Sequence, residues 1–369
     1  MKSKILLIGS GWRAEYFLSV SRIMPEMFDI YAVVTTNKDL AALYKSRGFN
    51  CYSTLDDALA VGKPDYAIVS VAAKVSHKIV IDLIKKGISV LDETPAASSP
   101  ELLHEMHTAI KNSGAKFQMA EQYHMRPDHS ARKFIIDSGV IGTPVQSLIS
   151  LTNTYHSISL LRFYLGTSGD KAAIKAQRFM VAGMPGHGRN GPPEKDAPTD
   201  YAQTLATFDF DGKIGIYDFE DAQHRSYIRT QRILIKGSRG VIDNNSIKYL
   251  LDYKTPMESQ MLRRNRGEDE NCEGTGLKGI IACEKWAYMS PFPDIRLNDD
   301  EIAVAECMLR MAKHCSGGPS FYSFAEAAQD TYLSQLMAKA VESGETVHAE
   351  IQPWTEQLMA DVAAKTKKQ

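Results

Sequence analysis

The amino terminus carries the pattern that most restricts the fold: a short apolar strand that runs into a glycine loop and then a helix. Residues Ile5–Ile8 are wholly apolar, and Gly9-Ser10-Gly11-Trp12-Arg13-Ala14 follows them directly. Gly9 permits a tight turn, Gly11 lets a phosphate approach the backbone, and Ala14 is small enough for close packing of helix on strand. The segment therefore predicts the first strand–loop–helix unit of a nucleotide-binding parallel sheet.

The chain up to about Ser138 repeats the alternation of short apolar runs and helical patterns. Strands are predicted at Ile30–Val34, Tyr66–Val71, Ser89–Leu91 and Phe117–Ala120, and helices at Trp12–Ile23, Lys38–Arg47, Ser76–Lys86, Pro100–Ser113 and Pro127–Ser138. This alternation is typical of parallel strands joined by crossover helices. We therefore expect an α/β protein in which residues 1–142 form a dinucleotide-binding Rossmann domain with a doubly wound parallel sheet.

Beyond residue 142 the segments become longer and richer in β-forming residues. Strands are predicted at Val145–Thr154, Ala173–Val181, Tyr201–Phe210, Lys213–Phe219, Arg229–Lys236 and Val347–Ile351, a hairpin turn at Phe210–Lys213, and helices at Glu301–Cys315 and Ser323–Ser343. Residues 143–369 are expected to form an α/β domain with a large, open, mostly antiparallel sheet, for substrate binding and oligomerisation. The last helix, about residues 323–343, has a second possible place against the Rossmann domain. Gly183–Thr199 is interpreted as a surface loop rather than a lid, and Arg263–Gly279 as a polar loop.

Charge and composition exclude several classes of protein. The 369 residues include 43 basic and 44 acidic side chains, so nothing favours nucleic acid or an anionic membrane as a partner. The five cysteines show no CxxC pair and no zinc spacing: Cys51, Cys272, Cys283, Cys307 and Cys315. The apolar run at the amino terminus is too short for a signal peptide. We expect a cytoplasmic protein with free thiols, no bound metal and no membrane span.

Four further segments stand in a fixed order behind the glycine loop. They are Pro64–Val71 with the following His77, Gly87–Pro95, Ile136–Gly142 and His156–Gly166. With the glycine loop, they resemble the Gfo/Idh/MocA family, which is named for glucose–fructose oxidoreductase and inositol dehydrogenase. The resemblance implies an NAD(P)-dependent oxidoreductase acting on a secondary alcohol or ketone of a sugar, cyclitol or glycoside. It also implies a homodimer or homotetramer formed through the open sheet.

Three positions depart from the pattern of that family. Members commonly carry Glu-Lys-Pro, with the lysine beside the nicotinamide, where this chain has Glu93-Thr94-Pro95. The family tends to place aspartates four residues before and three residues after the histidine that matches His156, and here those positions are Thr152 and Ser159. Only the histidine is kept. Either the catalytic groups come from elsewhere in the chain, or the redox step is absent.

Two groups of residues are candidates for proton transfer. His156 is the first, because histidine titrates nearest neutrality and this position matches the family, and Tyr155 beside it is a candidate relay. The second group, Tyr123 and His124, follows the strand Phe117–Ala120, where ligands of a doubly wound sheet bind. The alternative for the second group is a structural polar network.

The residues expected to bind the dinucleotide lie on the loops that follow the parallel strands. They are Gly9, Ser10, Gly11, Trp12, Arg13, Thr35, Thr36, Lys38, Val71, Lys74, His77, Glu93, Thr94, Pro95 and Glu121. No carboxylate stands at Thr35 or Thr36, where NAD-preferring domains bind the ribose 2′-hydroxyl. This favours NADP over NAD, with Lys38 near the 2′-phosphate. Both Lys38 and Lys74 have the alternative of a solvated helix start.

A polar cluster follows one predicted strand of the second domain: Asp218, Glu220, Asp221, Gln223, His224 and Arg225. Such a set suits a polyol, although a solvated strand end is the favoured interpretation. Two other functions stay open for the whole chain. One is a redox-neutral lyase or glycosidase that keeps its cofactor bound, and the other is a non-catalytic dinucleotide sensor with a protein partner.

Overall fold

In a computed structural model, residues 2–188, 191–267 and 276–366 are described. The chain divides into two compact units. The first unit comprises Met1–Pro127, Asn265–Lys278 and Ser290–Ala328, and the second comprises Asp128–Arg264, Gly279–Met289 and Gln329–Gln369. The boundary at residue 142 between two contiguous domains stays a prediction.

The described residues of the first unit form a six-stranded parallel sheet. Its strands are β1 (Ser3–Ile8), β2 (Phe28–Val34), β3 (Cys51–Tyr52), β4 (Tyr66–Val69), β5 (Val90–Asp92) and β6 (Phe117–Met119). They lie in the order β3-β2-β1-β4-β5-β6, and every neighbouring pair is parallel. The connections change direction between β1 and β4, which makes this edge the switch point of the sheet. The predicted doubly wound sheet is confirmed.

Ten α-helices lie in the described residues of the two units. They are α1 (Trp12–Ile23), α2 (Lys38–Ser46), α3 (Leu55–Ala60), α4 (Ala73–Lys85), α5 (Pro100–Lys111), α6 (Pro127–Asp137), α7 (Thr154–Leu165), α8 (Asp299–Cys315), α9 (Phe324–Ser343) and α10 (Thr355–Thr366). Because helices pack on both faces of a doubly wound sheet, its strands are apolar without alternation, as in the fully buried Ile5, Leu6 and Leu7. Within the described ranges, no helix is both long enough and apolar enough to cross a membrane.

The second unit is built on a large mixed sheet. Its strands, with those of a small third sheet, are β7 (Pro144–Ser150), β8 (Ala172–Gly183), β9 (Thr199–Phe210), β10 (Ile214–Glu220), β11 (Arg232–Gly237), β12 (Gly240–Asp243), β13 (Ser246–Leu250), β14 (Pro256–Gln260), β15 (Leu262–Asn265), β16 (Leu277–Ala282), β17 (Lys285–Met289) and β18 (Val347–His348). The large sheet has the order β14-β13-β12-β11-β7-β10-β9-β8-β18, and β15-β16-β17 form the third sheet. In the large sheet, β7 and β10 are parallel and the other pairs are antiparallel.

The predicted hairpin between β9 and β10 is confirmed. Asp211 and Gly212 both have positive φ, at 57° and 91°, and the Phe210 amide donates to the Lys213 carbonyl at 2.8 Å. A turn with two left-handed residues matches the twist of the strands that it joins. The mostly antiparallel sheet that was expected for this part of the chain is therefore present.

Several predicted bounds were wrong. The strand predicted to reach Thr154 ends at Ser150, because Thr154 begins α7. The predicted loop at 263–279 includes the end of β15 and the start of β16, while its residues 268–275, among them Cys272, lie outside the described residues. The loop predicted between Gly183 and Thr199 does separate β8 from β9, with Arg189 and Asn190 outside the described residues.

Candidate functional site

The glycine loop of the first unit lies between the ends of β2 and β4. Gly9 has a φ of 115°, and a Cβ atom at this position would lie 2.1 Å from the carbonyl oxygen of Ser70. The Gly9 amide donates to the carbonyl of Val34 at 2.9 Å. No other residue type fits here without a shift of the backbone. The turn therefore brings the chain across the switch point of the sheet.

Gly11 leaves the start of α1 open. It is the N-cap of this helix, no side chain caps it, and a Cβ atom added at Gly11 would meet nothing within 4 Å among the described residues. The first-turn amides of α1 are therefore accessible, and the positive end of the helix dipole favours an anion there. The diphosphate of a dinucleotide fits such a site, because there is space at Gly11 and the first-turn amides of α1 carry no side-chain cap.

The residue after β2 and a side chain of α2 form hydrogen bonds with the glycine loop. The hydroxyls of Ser10 and Thr35 share a hydrogen bond of 2.6 Å, and the Tyr44 hydroxyl donates to the Ser10 carbonyl at 3.1 Å. Burial raises the pKa of Tyr44 to about 12, so its phenol keeps the proton that it donates. Thr35 is buried in this network, whereas Thr36 and Lys38 are exposed. Sequence reasoning missed Tyr44, whose packing partner is far from it in the chain.

Arg13 and Glu93 form an ion pair beside the loop. Arg13 Nε donates to Glu93 Oε1 at 3.0 Å, and the guanidinium carbon lies 5.0 Å from the centre of the Tyr16 ring. Arg13 Nη2 is shut off from solvent and has no hydrogen-bond partner among the described residues. Thr94 and Pro95, which follow Glu93, are half-buried and joined by a cis peptide bond. The structure thus brings together residues from the glycine loop and from the end of β5.

A buried acid at the end of β5 was not singled out from the sequence. Asp92 is fully buried; its Oδ1 accepts from Ser76 at 2.7 Å, and its Oδ2 has no partner within the described ranges. Burial raises the pKa of Asp92 well above its usual range, because the charged form loses its hydration. An acidic residue directly after the apolar pair Val90-Leu91 is the sequence signal that marks it.

Three further predicted cofactor residues lie around α4. Val71 is half-buried, and its Cγ1 would lie 3.1 Å from a Cβ atom added at Gly9, which places it against the glycine loop. Lys74 is exposed in the first turn of α4. His77 is buried in the same helix, and its Nδ1 makes no hydrogen bond in the described part of the chain.

The residues after β6 make structural contacts. Glu121 is buried and accepts a hydrogen bond from the Tyr123 amide at 3.1 Å, so it caps the 3₁₀ turn Gln122–Met125. His124 is buried and packs edge-to-face on Tyr322, with 5.0 Å between ring centres. These contacts favour the structural polar network. A catalytic role for Tyr123 or His124 stays a prediction.

The candidate acid–base residues of the second unit lie at the start of α7, which packs on β7 and β10. The Thr154 amide, at a φ of 28°, donates to the Tyr217 hydroxyl at 3.2 Å. Tyr155 and His156 follow in the first turn, half-buried, with 4.4 Å between their ring centres. Thr152 and Ser159 are both buried. The two positions at which the resemblance implies aspartates therefore hold buried hydroxyls.

The cluster at the end of β10 was interpreted as a solvated strand end, and this is wrong for two of its members. Glu220 and Gln223 are buried, since Glu220 pairs with Arg229 at 2.8 Å and Gln223 Nε2 donates to the Ser150 carbonyl at 3.0 Å. These contacts join the ends of β7 and β10 to the following loop. Asp221 and His224 are exposed, as that interpretation has it. Among the described residues, no group of three or more His, Cys, Asp or Glu could hold a metal ion.

Known proteins resemble this chain in two ways. Residues 3–121 match the Gfo/Idh/MocA model, described as an oxidoreductase family with an NAD-binding Rossmann fold. No curated protein matches the chain significantly in sequence.

Solved structures resemble the chain over nearly its whole length. An oxidoreductase from Agrobacterium radiobacter, in complex with NAD+, L-tartaric acid and magnesium, is 17% identical with a TM-score of 0.67, over 95% of this chain and 99% of that one. Levoglucosan dehydrogenase, in complex with NADH and levoglucosan, is 16% identical with a TM-score of 0.68, over 95% and 100%. The WlbA dehydrogenase from Bordetella pertussis, in complex with NADH and UDP-GlcNAcA, is 15% identical with a TM-score of 0.64, over 95% and 100%. At such identities the likeness is one of fold.

The family match and the geometry of the loop agree on the same part of the chain. Residues 3–121 contain the glycine loop, the switch point and the open start of α1. This segment therefore matches the NAD-binding Rossmann domain of the Gfo/Idh/MocA oxidoreductases, and the chain as a whole has the fold of the solved dehydrogenases.

Proposed function

We propose that this chain is an NAD(P)-dependent oxidoreductase that transfers a hydride between a nicotinamide cofactor and a secondary alcohol or ketone of a sugar, cyclitol or glycoside. One observation carries the proposal: an open helix start at the switch point of the parallel sheet, within a segment that matches an NAD-binding oxidoreductase model. The substrate class is supported by the resemblance and by relatives of the same fold that were crystallised with levoglucosan and with UDP-GlcNAcA.

The glycine loop is proposed to hold the diphosphate of the dinucleotide. The amides of the first turn of α1 donate to anionic oxygens, and the absence of a side chain at Gly11 gives them room. The bound nicotinamide supplies the two-electron donor or acceptor. The other proposed contacts come from the loops after β4, β5 and β6: Val71, Lys74, His77, Glu93, Thr94, Pro95 and Glu121.

NADP is proposed as the preferred dinucleotide. Thr36 and Lys38 are exposed after β2, and no carboxylate stands at Thr35 or Thr36 to bind a ribose 2′-hydroxyl. An ammonium and a hydroxyl suit a 2′-phosphate, which a carboxylate would repel. Thr35 itself is turned towards Ser10 and is the least suited of the three for this contact.

His156 is proposed as the group that takes a proton from the alcohol or returns one to the ketone, with Tyr155 as its hydrogen-bonding neighbour. The support is the resemblance together with the half-buried position of both rings in the first turn of α7. Since Thr152 and Ser159 carry no charge, neither position provides a carboxylate to stabilise the imidazolium. Tyr123 and His124 are the second choice, because their contacts are structural.

A homodimer or homotetramer in the cytoplasm is proposed, formed through the open face of the large sheet. Side chains alternate along β9, where Phe208 is buried and Leu205 is 40% exposed. Ile214, at the start of β10, is 46% exposed. Apolar side chains on neighbouring strands of an uncovered sheet face suit a second copy of the chain.

The proposal is tested by turnover with a panel of sugars, cyclitols and glycosides in the presence of NAD+ or NADP+. Growth of the reduced-nicotinamide absorbance band with at least one alcohol supports it. Binding of a cofactor with substrate conversion but no net reduction would instead indicate the redox-neutral lyase or glycosidase. Cofactor binding with no conversion of any compound would favour the sensor.

A further inference from the structure

The two ends of α7 show which part of the large sheet this helix covers. The Thr154 amide at its start donates to the Tyr217 hydroxyl at 3.2 Å, and the Leu165 carbonyl at its end accepts from Lys213 Nζ at 2.6 Å. The helix therefore runs along β10 from Tyr217 towards Lys213. The part of β10 that follows Tyr217 lies beyond the first residue of α7, next to the helical turn that contains His156.

Arg178 of β8 lies on the face of the sheet that α7 covers. A Cβ atom added at Gly215 would lie 3.2 Å from Leu161 of α7. Because side chains alternate along β10, Phe219 lies on the same face as Gly215. Thr204 pairs with both Phe219 and Arg178 in the antiparallel register, and directly paired residues point to one face. Arg178 therefore lies in the row of Phe219, beyond the start of the helix.

This face of β8 changes from covered to exposed at Arg178. Ile174, Ala176, Arg178 and Met180 alternate along the strand and so share the face. Ile174 and Ala176 are buried, whereas Arg178 is exposed and Met180 is 64% exposed. The sheet face beyond the start of α7 is therefore accessible to a small molecule.

The Arg178 guanidinium is fixed at one nitrogen and has no acidic partner. Its Nε donates to Oγ1 of the buried Thr204 at 3.3 Å, while Nη1 and Nη2 make no hydrogen bond or ion pair within the described ranges. Asp221, the exposed acid after β10, forms no ion pair there either. Burial raises the pKa of Tyr217 to about 12, and the charge of Arg178 lies near enough to oppose part of that rise.

We propose that Arg178 binds an anionic substituent of the substrate, a carboxylate or a phosphate. Its terminal nitrogens form a planar fork that suits two oxygens of such a group. Because Thr204 already holds Nε, less side-chain freedom is lost when the ligand binds. The site then selects sugar acids or sugar phosphates over neutral sugars. This inference rests on the proposed function, since it names the substrate class of the same site.

The test is the binding of matched acidic and neutral sugars to the full-length protein, measured by titration calorimetry with NADH and NADPH present. The probes are D-glucose and D-galactose, their uronates and their 6-phosphates. At least one acid is expected to bind about ten-fold or more tightly than its neutral counterpart, because a charge-assisted hydrogen bond is gained. Whether the uronate or the phosphate is preferred identifies the anionic group.

Two variants and one control show whether Arg178 carries this preference. Arg178→Met removes the charge, and Arg178→Gln removes it while keeping an amide that can donate to Thr204. Both are expected to lose the preference for the acid. Lys175→Met, which removes a positive charge from the other face of the same strand, is expected to keep it. Thermal unfolding checks each variant, and Arg178→Gln decides the question if Arg178→Met does not fold.

The outcomes separate this inference from the proposed function. If no acid binds more tightly than its neutral counterpart, or if the preference survives in the Arg178 variants, the inference is wrong, and oxidation of a neutral sugar would leave the proposed function standing. A preference that is also lost in Lys175→Met would reflect general charge attraction and overturn the inference. If the preference depends on Arg178 while no compound is oxidised or reduced, the anion site stands and the oxidoreductase proposal fails.

Discussion

The glycine loop of the first unit and the start of α7 in the second unit are built in different ways. The loop is defined by backbone geometry: Gly9 is pressed against the Ser70 carbonyl, and Gly11 leaves the amides of α1 open. The start of α7 is defined by side chains, the half-buried rings of Tyr155 and His156, and the nearby Thr152 and Ser159 are buried.

The difference shows which kind of site tolerates the substitution of side chains. A backbone site binds an anion through main-chain amides, so its form depends on the glycines of the loop. A side-chain site changes its chemistry with each substitution, and Thr152 and Ser159 are two such changes relative to the resemblance. We therefore expect cofactor binding to depend on the loop and turnover to depend on His156.

The largest expected effect is on turnover. His156→Ala is expected to lower kcat by about 10²–10⁴-fold, the usual contribution of a positioned acid or base, without changing NADH affinity. Steady-state kinetics with the best compound of the panel measures this, alongside calorimetry for binding. His348→Ala, an exposed histidine on β18, is the control. An unchanged kcat would remove His156 from the mechanism and move attention to Tyr123 and His124.

The second prediction compares the two glycines of the loop. Gly9→Ala is expected to lower the free energy of unfolding by about 3 kcal/mol or more, because its Cβ would clash with a backbone oxygen at a positive φ. Gly11→Ala should change stability by less than about 1 kcal/mol, since its Cβ would meet none of the described residues within 4 Å and its φ is −74°. Denaturant unfolding measures both. Equal effects at the two positions would contradict the view that Gly9 is needed for the turn and Gly11 for the open start of α1.

The third prediction concerns the buried Asp92. Burial raises the pKa of Asp92 in the folded chain. The acid therefore destabilises the fold as the pH rises above the pKa of an unfolded aspartate, about 3.9. Asp92→Asn should therefore raise the free energy of unfolding by about 1–3 kcal/mol at neutral pH. This gain in stability should shrink as the pH falls towards the unfolded-state pKa. Denaturant unfolding at several pH values checks this. A stability difference independent of pH would show that folding does not raise the pKa of Asp92.

The smallest expected effect is on the choice of dinucleotide. Thr36→Asp places a carboxylate after β2, where it should repel a 2′-phosphate and accept from a 2′-hydroxyl. The ratio of NADPH to NADH affinity is expected to fall by about ten-fold. Ser46→Asp, which adds the same charge at the far end of α2, controls for net charge. A ratio that does not move would place the adenine ribose away from Thr36.

The sequence was most informative where structure depends on local patterns. The bounds of α1 were predicted to the residue, and the strand alternation predicted the parallel sheet, because both follow from periodicity and glycine placement. The strands β12 to β14 were not predicted, since they are short and only partly buried. Their place in the sheet comes from pairing with β11, a tertiary contact.

The candidate site, too, was predictable only where it depends on neighbouring residues in the sequence. The glycine loop could be identified because its chemistry lies in consecutive residues. The Tyr44 contact with Ser10, the Ser76 contact with Asp92 and the burial of Glu220 could not be identified, because each depends on residues brought together by folding. The contacts of Glu121 with the Tyr123 amide and of His124 with the Tyr322 ring could not be identified either, while the predicted roles of Glu121 and His124 stay predictions.

The most direct test of the central claim is a titration of the purified protein with NADH and with NADPH, carried out in parallel on Gly11→Val and Gly114→Val. Gly114 is exposed, and a Cβ atom added there would also meet nothing within 4 Å in the described part of the chain, so it is a matched glycine away from the loop. We predict saturable binding of at least one dinucleotide by the unchanged protein and by Gly114→Val, and its loss in Gly11→Val. Equal binding by both variants, or no binding by the unchanged protein, would contradict the account.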